Sequence, residues 1–208
     1  MSTQPKPRYT PEEYLALERA AEYKSEYYDG EIFAMAGASE RHVSIVTNLV
    51  MALGGQLKSR PCRVYSADMR VNVSATGLYT YPDLAVVCGE RHFHDKHQDT
   101  LLNPGVLIEV LSPSTEAYDR GKKFSHYRTL DSLAEYLLVS QEEPRVEHYL
   151  RQPDGDWLLH EATRLDGTVS LPTIQCELSL ADVYDKVEPD EAESTHHAPR
   201  DVGSSHGA

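Results

Sequence analysis

Two short β-prone runs, Pro82-Asp83-Leu84-Ala85-Val86-Val87 and Val106-Leu107-Ile108-Glu109-Val110-Leu111, each set one carboxylate in an otherwise apolar stretch. A charge on a core strand is costly unless something pairs with it, and two acids on neighbouring strands repel unless a cation or a proton lies between them. The fold therefore has to bring compensation to both positions. After the second run come Ser112-Pro113-Ser114-Thr115 and then Asp119-Arg120-Gly121-Lys122-Lys123-Phe124-Ser125-His126-Tyr127, which reads as a helix carrying basic residues. Two acids and a lysine on a strand, strand, helix unit point to a divalent metal and a phosphate.

At 208 residues the chain fits one domain with a core that needs neither disulfides nor a structural metal. No apolar run approaches the ~20 residues needed to span a bilayer, and the first ten residues lack a signal-peptide stretch, so a cytoplasmic protein without membrane association is expected. Cys62, Cys88 and Cys176 are odd in number, widely spaced and outside any C-x-x-C arrangement, which predicts buried thiols rather than a disulfide framework or a zinc knuckle. The net charge of -13 argues against nonspecific coating of nucleic acid, although a local basic groove is compatible with it. Residues 1–8 read as a flexible N-terminus, 9–187 as the folded domain and 188–208 as a disordered acidic tail with almost no apolar residues.

Thr10-Pro11-Glu12-Glu13 carries a cap, a first-position proline and first-turn acids, so a helix is predicted to about Ala21. Asp29-Gly30 between β-prone flanks predicts a hairpin. Ser39 caps a long amphipathic helix with Val43, Val46, Leu49, Val50, Leu53 and Leu57 as its apolar stripe. Cys62 to Val73 alternates as a strand, Thr76-Gly77 turns the chain toward the Asp83 strand, and a polar loop from Gly89 to Pro104 precedes the Glu109 strand. A helix from about Glu116 to Leu130 is followed by strands at Glu135 to Val139, Arg145 to Arg151 and Trp157 to Ala162. The order predicts an α/β fold with a mixed β-sheet flanked by helices.

Glu109 lies two residues before its strand end, ~7 Å back at ~3.3 Å per residue. Lys123 lies about seven residues into a helix that runs back over the sheet, ~10 Å at ~1.5 Å per residue, and its side chain leans toward the helix N-terminus. The two reach one level. Asp119, Lys123 and Tyr127, at i, i+4 and i+8, share a helix face. Magnesium or manganese takes one or two carboxylates plus waters and phosphate oxygens, which Asp83 and Glu109 supply. A lysine ammonium beside them stabilises developing charge in phosphodiester hydrolysis.

The segments YPDLAVVCG, LIEVLSPSTEAYDRGKKFSHYR and EYLLVSQEEPRVEHYLR, preceded by YYDGEIFAMAGASERH, resemble the Uma-type restriction endonuclease family of the PD-(D/E)XK nuclease superfamily over roughly residues 9 to 187. The resemblance implies a restriction-endonuclease-like fold and metal-dependent DNA cleavage, with Asp83 and Glu109 as the motif's acids. The superfamily lysine sits two residues after the second acid, where this chain has Leu111; the resemblance places it instead on the following helix, at Lys123.

Second-tier candidates are Glu31 at the hairpin, His42 on the capped helix, Asp68 and Arg70 on the alternating strand, and Asp119 and Tyr127 on the lysine's face. Structural alternatives stand beside the site readings: Asp83 as a turn residue, Glu109 paired with Arg70, Asp119 and Lys123 as a surface pair, Tyr127 and His42 as core, and Glu31 as a solvated turn acid. His92-Phe93-His94-Asp95-Lys96-His97 resembles a dinuclear H-x-H-x-D-H motif with the Asp one place early, and reads as an exposed loop. Three functions follow. The first is a metal-dependent DNA endonuclease, with a homodimer suited to cutting both strands; the second is a catalytically decayed DNA-binding or protein-interaction module on the same fold; the third is cleavage of another phosphodiester, such as RNA or a branched structure, by the same site.

Overall fold

The computed structural model describes residues 7–188. Of the segments expected to be flexible, only Pro7, Arg8 and Glu188 fall among them; the rest of 1–8 and 188–208 lie outside the described residues. The N-terminal helix α1 (Pro11–Ala20) starts at the predicted capping box, in which Thr10 accepts from the Glu13 backbone and Glu13 returns the bond to Thr10 N. The hairpin β1 (Ser25–Tyr28) and β2 (Glu31–Ala34) turns at Asp29 and Gly30, whose positive φ values of 46° and 81° give the left-handed turn that matches strand twist.

Helix α2 (Glu40–Leu57) is capped by Ser39 as predicted, but its buried line runs through Ile45, Leu49, Leu53 and Leu57. Val43 is exposed, and Val46 and Val50 flank the core. Leu49, Leu53 and Leu57 belong to the expected stripe; Ile45 joins them and Val43 falls outside, because the sheet below decides which side of a broad apolar face is covered.

The segment from Cys62 to Val73 is two strands, not one. β3 (Cys62–Ser66) and β4 (Arg70–Val73) belong to different sheets, and a turn closed by Met69 N on Ser66 O at 3.0 Å carries the chain between them. Alternation continues across the turn, so the pattern hides it. β5 (Leu78–Thr80) and β6 (Leu84–Cys88) repeat the switch of sheets across Tyr81-Pro82-Asp83. Pro82 has no N–H to give a ladder, which suits the junction. The polar loop after Gly89 contains β7 (Thr100–Leu101), which pairs in parallel with β4 and buries Leu101.

The remaining elements are β8 (Val106–Leu111), α3 (Glu116–Tyr118), a π-helical turn at Asp119–Lys123, α4 (Phe124–Tyr127), β9 (Glu135–Ser140), β10 (Val146–Arg151), β11 (Trp157–Ala162), β12 (Thr168–Leu171), β13 (Cys176–Ser179) and α5 (Leu180–Val183). The strand order is β2-β1-β5-β4-β7 in one sheet and β11-β10-β9-β8-β6-β3 in the other, with β12-β13 as a separate pair. β8 and β9 are parallel and joined by the helical segment; the other neighbours in that sheet are antiparallel. This is the mixed α/β arrangement the sequence predicts.

Three packed interfaces result. Tyr14, Leu15, Tyr27 and Tyr79 join α1 to the outer face of the first sheet. Val71, Val73 and Leu78 on its inner face pack with Leu107, Leu111, Tyr127, Leu133 and Tyr136. The far face of the second sheet, through Val106, Ile108 and Val110, packs on α2, β12-β13 and α5. Contrary to the expectation of three free thiols, Cys62 and Cys88 are disulfide-bonded and Cys176 alone is free and buried. They face each other directly in the β3–β6 register, a neighbourhood that sequence spacing does not reveal. Among the described residues no helix is long and apolar enough to cross a membrane.

The loop containing His92 to His97 is docked onto α1. Arg19 holds Asp99 with two hydrogen bonds of 2.7 and 2.9 Å and reaches Asp95 at 2.8 Å, while the buried Arg70 reaches Asp99 at 3.2 Å. The hydrogen-bonded Arg19 guanidinium, with Arg70 behind it, holds the Asp99 carboxyl well below the usual carboxylate range against the opposing effect of burial. A depressed carboxylate pKa stabilises the fold above the unfolded value near ~4, and the contribution fades as pH falls below it. Asp99→Asn is therefore expected to lower stability by about 1–2 kcal/mol at pH 7. In urea unfolding of both proteins, the difference should narrow as pH is taken below about 4.

Candidate active site

The β5–β6 junction, β8 and the helical segment after it bring a charged cluster together. Glu109 sits on β8 between the apolar Ile108 and Val110, and alternation turns it toward the inner layer with Leu107 and Leu111. It is 3% exposed. The chain then leaves the sheet through Ser112 to Thr115 and returns over it in the helical segment. The π-helical turn directs Asp119 and Lys123 inward, and Tyr127 follows on the same side. Lys123 Nζ lies 2.9 Å from Glu109 Oε1 and 3.5 Å from both Asp119 Oδ1 and Glu26 Oε1. Tyr127 donates to Glu109 Oε1 at 2.8 Å.

Asp83 arrives from the other direction, at the crossing between the sheets. Its Oδ2 accepts the Val110 N–H at 2.7 Å, one residue past Glu109, and its Oδ1 lies 2.9 Å from His42 Nε2. His42 is placed by the α2 cap, since Ser39 accepts the His42 N–H and donates to Gln141 Oε1 at 2.9 Å. The Asp83 and His42 side chains keep 15% and 17% of their surface, so this edge of the cluster is open while the lysine end is closed.

Of the residues that sequence reasoning offers as site candidates, Glu109, Lys123, Asp119 and Tyr127 form one contact group, and the Asp83–His42 pair adjoins it through the Val110 N–H next to Glu109. Glu31 shares the hairpin face that carries Glu26, because Tyr28 pairs with Glu31 and Glu26 with Phe33. Arg70 does not join them: it lies on the outer face of the first sheet, bonded to Thr100 and Tyr81 at 2.9 and 3.0 Å and to Asp99, so it is not the partner of Glu109. Asp68 is exposed and paired with Lys24 at 3.0 Å. Two members went unnoticed. Glu26, which also accepts the Thr80 hydroxyl, is one acid in a polar hairpin strand; only the pairing of β1 with β5 brings it in. Gln141 follows β9 and had no signal beyond its place after an apolar strand.

The electrostatics follow from burial and crowding. Burial pushes the Glu109 carboxyl well up; Lys123 opposes this, while the nearby Asp119 and Asp83 add to it. Asp119 is raised mainly by burial, against Lys123. Burial alone lowers an ammonium, yet Glu109, Glu26 and Asp119 together hold the Lys123 pKa well above its ordinary value. The lysine is a fixed cation among more acids than it can neutralise.

Breaking one partner out of such a cluster is costly, whereas removing both charges is mild. Lys123→Met is expected to destabilise the protein by about 3–5 kcal/mol, and adding Glu109→Gln should recover a large part of that loss. Urea unfolding of wild type, both single variants and the double variant measures the coupling.

A putative restriction endonuclease family, Uma2, matches residues 11–182. Two proteins of Synechocystis, uncharacterized protein slr1290 and uncharacterized protein sll1609, are 40% and 41% identical over 155 and 152 residues. Those spans are 74% and 73% of this chain and 80% and 86% of the relatives. A solved structure from Anabaena variabilis, described as a putative nuclease belonging to DUF820, superposes with a TM-score of 0.70 at 23% identity, covering 85% of this chain and 98% of that one. At that identity the likeness shows a common fold. The family match and the relatives together show that the chain belongs to the Uma2 family of putative restriction endonucleases.

Proposed function

We propose that the protein is a metal-dependent endonuclease that hydrolyses DNA phosphodiester bonds, with Asp83 and Glu109 as metal ligands and Lys123 as the catalytic cation. The observation that carries the reading is the ion pair of Lys123 with Glu109, which brings a helix lysine to the acid whose strand holds Leu111 where the superfamily motif has its lysine. Family membership supports a nuclease-like activity at the coarser level.

The donor set suits magnesium or manganese. Among the described residues no group of three or more His, Cys, Asp or Glu is arranged to hold a metal by protein ligands alone. A hard cation of this kind uses only one or two carboxylates and fills its shell with water and phosphate oxygens. Among the described residues Asp83 Oδ1 contacts His42 and Oδ2 accepts from Val110, and with two lone pairs each both oxygens retain acceptor capacity. The surplus of acids around Lys123 is the charge that a divalent cation balances. A divalent ion held by Asp83 and Glu109 would supply Lewis-acid polarisation of the phosphoryl group.

The chain's own groups do the rest. Val110 N–H and His42 fix the Asp83 carboxylate, and Tyr127 orients Glu109. Lys123, held protonated behind Glu109, contributes a fixed positive potential to the site without reorganisation at the moment of reaction. The rival reading, a DNA-binding module without turnover, rests on Leu111, which is packed into the core at the position of the motif lysine.

Supercoiled plasmid incubated with purified protein is expected to be nicked with magnesium or manganese and left intact with EDTA. Asp83→Asn should lose at least ~100-fold of that rate with its circular dichroism unchanged, in line with removal of a group that acts on the transition state. Equal cleavage by the variant would remove Asp83 from the site, and binding without cleavage under every metal condition would favour the rival.

A further inference from the structure

The β1–β2 hairpin carries more than Glu26 into this region. In an antiparallel pair, directly opposed residues project to the same side. Glu26 pairs with Phe33 and Tyr28 with Glu31, so all four lie on one face, and Tyr27 and Ile32 lie on the other, against α1 and its tyrosines. The first face is the one whose Glu26 reaches Lys123. Beyond Glu26, toward solvent, it shows two aromatic rings, Tyr28 at 39% and Phe33 at 47% exposure. Tyr28 is set edge-on to His126 of α4, with ring centroids 4.7 Å apart. Burial and the neighbouring Lys122 lower the His126 pKa, so an uncharged ring completes the wall, and Lys122 itself is exposed.

We propose that Tyr28 and Phe33, with His126 behind Tyr28, form a stacking platform for an unpaired nucleobase of the substrate strand, on the hairpin side of the charged cluster. The inference rests on the nuclease reading and narrows its substrate to DNA with a single-stranded or frayed segment. Two features select a base as the occupant. Exposed aromatic faces stack any base, whereas a duplex keeps its bases stacked on one another. Lys122, beside His126, offers a cation for the phosphate that follows the stacked base.

The test is binding without turnover. In EDTA, fluorescence anisotropy of a labelled oligothymidylate and of a duplex of the same length is compared for wild type, the double variant Tyr28→Ala/Phe33→Ala, and Tyr28→Trp in a Trp157→Phe background. The platform predicts that single strand binds more tightly than duplex, and that the double alanine variant loses at least ~10-fold for the single strand with little change for the duplex. It also predicts that Tyr28→Trp keeps wild-type affinity and that its fluorescence is quenched on adding oligothymidylate, which a merely structural role would not produce. Unchanged single-strand affinity in the double alanine variant, or an unquenched tryptophan, overturns the platform while leaving the nuclease reading standing. If wild type binds neither DNA in EDTA, metal-dependent plasmid nicking separates the two readings: with nicking present the platform alone fails, and without it both fail.

Discussion

A buried ammonium surrounded by carboxylates governs this structure. Lys123, 5% exposed, has Glu109, Asp119 and Glu26 within 3.5 Å, and these groups come from a sheet strand, a helical turn and a hairpin of the other sheet. Neither the lysine nor Glu109 is tolerable alone in that interior, so the β8 strand, the helical segment and the hairpin depend on one another for their charges. The same constraint explains the position of Tyr127, which gives Glu109 a hydrogen bond from within the core.

The sheet arrangement makes the cluster lopsided. Its closed end, around Lys123, is packed between the two sheets, and its open end, at Asp83 and His42, lies where the chain crosses between sheets and where α2 begins. A charge-dense site with one face to solvent can admit a polyanion, even in a chain whose net charge is -13. Long-range repulsion of a polyanion is screened over about 8 Å at physiological salt, so under the proposed function short-range groups would decide DNA binding at the cluster. The Arg19, Asp99 and Arg70 network on the far face of the first sheet serves another purpose: it fastens the loop before β8 to α1 and keeps its charges away from the site.

Much of this was legible in the residues. Asp83 and Glu109 stood out because a charge in an apolar run demands a reason, and the rise per residue of strand and helix carried Lys123 to the level of Glu109. Capping residues located both long helices, and Asp29-Gly30 located the hairpin. What the sequence hid was long-range pairing. The break between β3 and β4, the parallel contact of β7 with β4, the bond between Cys62 and Cys88, and the arrival of Glu26 all depend on which strands become neighbours. Period-2 alternation reports that a segment is a strand, but not its sheet. Arg70 illustrates the consequence, since its alternation with Val71 was correct while the face it shares lies on the opposite side from Glu109.

The central claim is that Asp83 and Glu109 form a divalent-metal site beside a fixed lysine cation. Isothermal titration of manganese into wild type and Asp83→Asn, in the absence of nucleic acid, addresses it most directly. The account predicts saturable binding by wild type that is lost or weakened at least ~10-fold when the carboxylate becomes an amide, as expected for removal of a charged oxygen ligand. Identical titration curves for the two proteins, with both folded, would contradict it.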